Sequence, residues 1–276
     1  MPHLFCFGLG FTGQALARRL TAKGWTVTGT SRSGENGTLA FDGSTALPQS
    51  AFDGVTHLLI SVPPGPQGDP VLSRHADDLR QRARQFQWAG YLSTTGVYGD
   101  RHGDWVDETS PLTPTTERGQ RRLAAETQWH ELGLPLHIFR LAGIYGPGRN
   151  QLVSILDGTA KRIVKQGQIF SRIHVEDIAG VLEASIARPD PERAYNVCDD
   201  EPCPPQEVVA FAAELLDRPP PPEIAFDAAA LSPMAKSFYA ESKRVSNKRI
   251  KQELGYRLLF PTYREGLTAL LATLPS

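Results

Sequence analysis

Leu4-Phe5-Cys6-Phe7-Gly8-Leu9-Gly10-Phe11-Thr12-Gly13 is the stretch whose reading decides the fold. The apolar run Leu4–Phe7 has the length and character of a buried β-strand. The glycines follow at once, spaced Gly-x-Gly-x-x-Gly. From Gln14 to Lys23 the period turns helical, with Leu16 and Leu20 on one face and Arg18 and Arg19 off it. Gly24 stops that helix, and Trp25 to Thr30 reads as a second strand. A glycine loop between a strand and a helix, at the head of a βαβ unit, gives this spacing a mechanism. Gly8 permits the tight turn, Gly10 lets the backbone approach a pyrophosphate, and Gly13 allows close helix–strand packing. Phe11 and Thr12 complete the expected cofactor contacts, and the diphosphate would sit on the helix N-terminus, whose N–H groups and dipole favour negative charge.

Outward from this unit, strands and helices keep alternating. Val55 to Val62 is a buried-type strand ended by Pro63-Pro64-Gly65-Pro66. Ser73 to Phe86 is polar, arginine-rich and helical; Gly90–Thr94 gives a strand, Glu117–Leu132 a helix, and Leu136–Leu141 another strand. Such alternation predicts an α/β chain with a doubly wound parallel sheet of Rossmann type. After Arg140 the texture changes. Gly143 to Asn150 is turn-rich, a helix lies near Leu152–Asp157, Ile173–Ala187 reads as a strand end plus helix, and Tyr195–Val197 as one more strand. Proline clusters at 202–205 and 219–222 mark connections. The division expected is a dinucleotide-binding core over residues 1–145, to which 172–197 returns, and a smaller C-terminal substrate region over 146–276.

Composition sets the outer limits. The 276 residues carry 29 Lys+Arg against 30 Asp+Glu, a formal charge of −1, which argues against a polyanion-binding protein and against nucleic acid as a partner. The 40% hydrophobic and 21% charged content is that of a globular chain. Cys6, Cys198 and Cys203 form no disulfide framework, which argues for a reducing compartment. No apolar run approaches the roughly 20 residues of a membrane span, and Leu4–Leu9 is too short for a signal peptide. A cytoplasmic protein of one to two domains is expected.

The second strand indicates which dinucleotide. NAD sites place an Asp or Glu there for the ribose 2′-hydroxyl. Here the strand runs Thr30-Ser31-Arg32-Ser33, with no carboxylate before Glu35. A guanidinium flanked by small hydroxyls suits a 2′-phosphate, so Ser31 and Arg32 point to NADP(H), with NAD as the alternative if Arg32 is a solvated loop residue.

Tyr91-Leu92-Ser93-Thr94-Thr95-Gly96-Val97-Tyr98-Gly99-Asp100 resembles the extended short-chain dehydrogenase/reductase family of nucleotide-sugar epimerases and dehydratases. Arg140 to Arg149, Arg172-Ile173-His174-Val175-Glu176-Asp177-Ile178-Ala179 and Tyr195-Asn196-Val197 are similar to further segments of that family, in order. The resemblance implies that Asp42 contacts the adenine and that Thr94 bonds the substrate oxygen at the carbon exchanging hydride. Thr95 and Gly96 stand where the dehydratases often carry an acidic pair, which makes sugar dehydration a poor fit.

The same family supplies a Tyr-x-x-x-Lys pair in the helix before Leu136–Leu141. Anchored on Glu126, that helix places Arg118 at the Tyr position and Arg122 at the Lys position. No tyrosine occurs between Tyr98 and Tyr145, and only seven of the 29 basic residues are lysines, none of them between Lys23 and Lys161. Guanidinium, with a pKa above about 12, cannot shuttle a proton at neutral pH. The chain therefore most resembles the atypical branch of the superfamily, which keeps the glycine loop and varies the catalytic pair. Ser61-Val62-Pro63-Pro64 also looks like that branch, with Ser61 and Pro63 as cofactor contacts, and Arg122 as a holder of the nicotinamide ribose.

Tyr98 and Tyr145 are the nearest phenols, and Tyr98, on the loop after Thr94, is the candidate for proton transfer. Arg118, Arg149 and Arg172, with Thr95, are candidates for binding an anionic substrate, and Arg244 is a further arginine of that kind. His102 and Asp104 read as solvated loop residues and His174 as a packing residue. Cys198, Cys203, Asp199 and Asp200 lack the second paired element of a metal site, so no metal is expected. The expected protein takes a small-molecule substrate and is a monomer or weak homodimer. Two functions follow: an oxidoreductase or epimerase-like enzyme, or a dinucleotide-binding sensor without turnover.

Overall fold

The computed structural model describes residues 1–274; positions 275 and 276, the end of the expected C-terminal region, lie outside the described residues. The strands are β1 His3–Phe7, β2 Thr26–Ser31, β3 Leu39–Ala40, β4 His57–Ile60, β5 Trp88–Thr94, β6 Trp105–Val106, β7 Leu136–Leu141, β8 Gly143–Tyr145, β9 Arg162–Val164, β10 Arg172–His174, β11 Ala194–Val197, β12 Glu223–Ala225 and β13 Arg244–Val245. The helices are α1 Phe11–Thr21, α2 Leu72–Gln81, α3 Glu117–His130, α4 Gln151–Leu156, α5 Val175–Ala187, α6 Pro205–Leu215, α7 Pro233–Tyr239, α8 Lys248–Gln252 and α9 Tyr263–Leu271.

Seven strands form one sheet in the order β11-β7-β5-β4-β1-β2-β3, with every pairing parallel. The chain runs outward from β1 through β2 and β3, then crosses back to β4 and continues the other way. This is the doubly wound Rossmann-type fold expected, and its switch point lies between β1 and β4, where such sheets bind ligands. The continuous apolar run in β1 follows from burial on both faces. Leu4 and Cys6 enter one apolar layer with Leu16, Leu20 and Ile178, while Phe5 and Phe7 enter the other with Phe52, Tyr91 and Trp129. One strand thus serves two cores because alternate side chains point to opposite faces.

A third apolar cluster, including Leu152, Val208, Tyr263 and Leu267, gathers α4, α6 and α9. Two short parallel pairs lie beside it, β8 with β10 and β9 with β12, while a third, β6 with β13, adds Val106 and Val245 to the layer of Leu4 and Cys6. The expected turn at Gly143–Asn150 is corrected in its first three residues, which are β8; Gly143 N donates to Ser171 O at 3.1 Å and starts that pairing. The helix read over Ser73–Phe86 ends earlier, at Gln81, and a short tight turn at Ala83–Gln85 completes it. No helix among the described residues is long and apolar enough to cross a membrane.

Candidate active site

The glycine loop is pinned from both sides. Leu9 N donates to Thr30 O at 2.7 Å, and Gly8 N to Thr30 Oγ1 at 2.9 Å, tying the loop to β2. Gly8 adopts φ +84°, a conformation that disfavours any side chain. A Cβ at Gly13 would stand 2.9 Å from Cys6 Sγ and 3.3 Å from Gly8 O, so α1 packs on β1 only with glycine there. A Cβ at Gly10 would meet nothing within 4 Å. The chain therefore has no packing reason for glycine at position 10, and the open space faces an α1 N-terminus that no side chain caps. A pyrophosphate fits this cradle by charge and by room.

At the end of β2 the Ser31 hydroxyl lies 2.7 Å from Thr38 Oγ1 and accepts from Gly34 N at 3.0 Å, shaping the turn into β3. Arg32 is exposed and forms no ion pair among the described residues. Asp42 is exposed and accepts from Ser44 N at 2.8 Å and Ser44 Oγ at 2.6 Å, which holds its carboxyl below its ordinary value.

Beside the loop, at the carboxyl ends of β5 and β7, lies a cleft of about 560 Å³. Of the residues singled out in the sequence, Thr12, Ser61, Thr94, Thr95, Arg118, Arg122, Arg149 and Arg172 all line it. Gly8, Gly10, Phe11, Gly13, Ser31, Arg32, Asp42, Pro63 and Tyr98 are not in its wall. Thr94 ends β5 and caps the tight turn Thr95–Tyr98, its Oγ1 accepting from Gly96 N at 3.2 Å. With its oxygen used in that way, the hydroxyl proton is left to donate.

Tyr98 requires a correction. The turn after Thr94 carries its ring under the sheet edge, where the side chain is wholly buried. Its hydroxyl donates to Asn196 Oδ1 at 2.7 Å and accepts from Arg140 Nη1 at 3.1 Å, and burial pushes its pKa up. Buried, outside the cleft wall and with its proton given to Asn196, this phenol is not placed beside a ligand in the cleft. It belongs to a buried network in which Glu126 binds Arg140 at 2.9 Å and accepts from Ser93 Oγ. Tyr145 does line the cleft, but burial raises its phenol far above its ordinary value.

α3 turns two arginines to the cleft. Arg122 is 7% exposed and donates from Nη1 to Leu92 O at 2.7 Å and to Tyr91 Oη at 3.3 Å, while its buried Nε has no partner. Arg118 stands 5.2 Å over the Phe238 ring of α7, and burial together with the charges of Arg122 and Arg149 lowers its pKa. Arg149 reaches over the Phe11 ring at 5.9 Å. Arg172 donates to Phe170 O at 3.0 Å and lies 3.2 Å from Cys203 Sγ. Beyond the sequence reading, the far wall adds Phe238, Tyr263 and the buried pair Lys243–Glu241 at 2.7 Å. A lysine thus does line the cleft, contributed from the C-terminal third rather than from α3. No local pattern around Lys243 marks it, because its place depends on β13 pairing with β6 across the molecule.

The parallel doubly wound sheet with this glycine loop has structural and weak sequence homology to NAD(P)-dependent epimerase/dehydratase-like proteins of the extended short-chain dehydrogenase/reductase superfamily. The chain belongs to the family of a functionally unknown conserved protein from Silicibacter pomeroyi DSS, with 55% identity, 99% of each chain covered and a TM-score of 0.92. It is also similar to Protein YeeZ of Escherichia coli (strain K12), 29% identical over 286 residues, covering 95% of this chain and 97% of that protein. Human epimerase family protein SDR39U1, solved with NADPH, shares the fold at 20% identity, with 99% of this chain and 100% of that chain covered and a TM-score of 0.76. No family model matches the chain.

Proposed function

We propose that the chain is an NADP(H)-preferring oxidoreductase of the epimerase/dehydratase type. It acts on a small, anionic or nucleotide-linked molecule and uses a non-standard proton-transfer arrangement. The observation that carries this reading is a continuity: Thr12, in the first turn after the glycine cradle, lines the same cleft as Thr94. A dinucleotide laid on the cradle would reach the cleft where Thr94 has a proton to donate.

The chain's own residues divide the work. Gly8, Gly10, Phe11, Thr12 and Gly13 receive the diphosphate on the uncapped start of α1. Ser31 and Arg32 stand at the adenosine end, and the unpaired guanidinium supports a 2′-phosphate there. Asp42 is the adenine contact, Ser61 and Pro63 border the cofactor after β4, and Arg122 holds the nicotinamide ribose. The cofactor, when bound, supplies hydride transfer. Thr94 orients the reacting oxygen, and the proton at that oxygen is exchanged with water or with the substrate itself, since Tyr98 is committed to Asn196. Residues 1–145 with the 172–197 return form the cofactor half, and 146–276 the substrate half. Solved structures of this fold hold NADPH in one case and NAD in others, which supports a dinucleotide without choosing between them. The three free, buried cysteines support a reducing compartment, the cytoplasm.

A second reading is an NADP(H)-binding sensor without turnover. The guanidinium groups of Arg118 and Arg122 standing where the family keeps a phenol and an amine favour it. Thr94→Ala separates the two: under the first reading it abolishes turnover and Thr94→Ser restores it, while under the second neither variant changes cofactor or partner binding. The test of the proposal is co-crystallisation with NADP(H). A hydroxyl within about 3 Å of where a carbonyl would stand over the nicotinamide supports the enzyme. An apolar or arginine-only surround contradicts it.

A further inference from the structure

Arginines on one helix can be compared directly. Arg121, on the outward face of α3, pairs with Glu117 one turn back. Arg118 and Arg122, turned to the cleft, have no carboxylate within 4 Å among the described residues, and neither has Arg149 opposite them. All three line the same cleft. Arg122, 7% exposed, carries a charge that is costly without an anion, and the exposed Arg118 and Arg149 in the same wall are open to one.

The protein itself does not supply that anion. Among the described residues Glu241 is the one carboxylate in the cleft wall, and it is taken by Lys243 at 2.7 Å and by the Thr115 hydroxyl at 3.1 Å. Glu126, on the buried side of α3, is taken by Arg140 and Ser93. Asp69 accepts from Val71 N, Leu72 N and Trp129 Nε1. The buried Nε of Arg122 remains without a partner. Each acid near the cluster is already in use, and the positive charge faces the open volume.

We infer that Arg118 and Arg149 form a seat for a compact dianion, a phosphate monoester group or a paired carboxylate, carried by the substrate next to Thr94 and Thr95, with Arg122 adding its charge from the ribose side. This rests on the oxidoreductase reading and deepens it by naming the substrate's charge. Guanidinium forks match both phosphate and carboxylate oxygens, and two of them around one group, with a third positive charge behind, select two negative charges over one. The seat occupies the helix face from which relatives with the Tyr-x-x-x-Lys pair present their acid. The substrate is therefore held there by charge and not protonated there.

The experiment titrates inorganic phosphate, succinate and chloride at constant ionic strength into the full chain, with and without saturating NADPH, followed by calorimetry. Arg118→Gln and Arg149→Gln are the test variants, both at exposed positions, and Arg121→Gln is the control. The expected result is saturable binding of phosphate or succinate but not chloride, weakened about 10-fold or more in each test variant. Arg121→Gln leaves it unchanged, and NADPH affinity in Arg118→Gln stays within about twofold of the parent. The tighter of phosphate and succinate names the source of the dianion. Unchanged phosphate and succinate affinity in both test variants overturns the inference. So does loss of the Arg118- and Arg149-dependent phosphate or succinate binding once NADPH is saturating, which would assign these arginines to the cofactor. If NADPH fails to bind while the anion binds and the variants lose it, the seat stands and the cofactor reading falls.

Discussion

The Tyr98 hydroxyl and the Asn196 carboxamide, 98 residues apart in sequence, are joined by a 2.7 Å hydrogen bond under the edge of the sheet. That bond ties the turn after β5 to β11, and it fixes what Tyr98 is for. Tyr98→Phe leaves Asn196 Oδ1 without its donor and Arg140 Nη1 without its acceptor. The expected loss is about 1–3 kcal/mol of stability, read as a lower urea midpoint. NADPH affinity and the pH profile of turnover are expected to stay as they are. A shifted pH profile with normal stability would return Tyr98 to the chemistry.

Gly10 and Gly13 are both glycine for opposite reasons, and alanine distinguishes them. At Gly13 the new methyl meets Cys6 Sγ at 2.9 Å, so Gly13→Ala overpacks α1 against β1 and costs about 1–3 kcal/mol. At Gly10 it meets no protein atom within 4 Å, and φ is an ordinary −93°. Gly10→Ala is expected to fold with near-parental stability and to bind NADPH at least about 10-fold more weakly, because its methyl enters the diphosphate's approach. Thermal melts with and without NADPH check both variants. Equal NADPH affinity in Gly10→Ala would remove the cradle from the account.

Burial holds the Asp199 carboxyl protonated up to about 8, with Arg172 pulling it down and Glu201 and Asp200 pushing it up. The unfolded chain releases this proton near 3.8, so between those values the folded state binds more protons. Stability from this group is therefore present at low pH and falls as pH rises, by at most about 1.4 kcal/mol per pH unit. Asp199→Asn removes that dependence. His57 and His174, pushed down to about 4 by burial, act in the opposite sense below their ordinary 6.5, so the informative quantity is the difference between variant and parent. From pH 5 to pH 8 that difference is expected to move in the variant's favour by on the order of 3 kcal/mol, read from urea unfolding. Parallel pH curves would contradict it.

The half of the site written in local spacing was legible. Strand, glycine loop and helix occupy adjacent residues, and the arginines of α3 follow from counting back from Glu126. What was not legible depends on long-range packing. The side Tyr98 faces is set by a turn whose geometry only its partners Arg140 and Asn196 reveal. Residues 143–145 look like a turn because Gly143, Gly146 and Gly148 fall in one short segment, and become a strand only because residues 172–174 lie beside them. The far wall of the cleft comes from segments such as 237–245, whose two-residue strand has no periodicity to read. The lysine shortage along α3 was correctly read as an absence from that helix, yet Lys243 reaches the same cleft through the fold.

The central claim is that this cradle receives NADP(H) with Arg32 at the 2′-phosphate, and calorimetric titration of NADPH and NADH into the parent and Arg32→Ala tests it most directly. The account predicts NADPH binding tighter than NADH in the parent by roughly 10- to 100-fold, the worth of a charge-assisted phosphate contact, with the preference erased in Arg32→Ala and NADH affinity unchanged. NADH binding as tightly as NADPH in the parent, or an NADPH preference that survives Arg32→Ala, would contradict it.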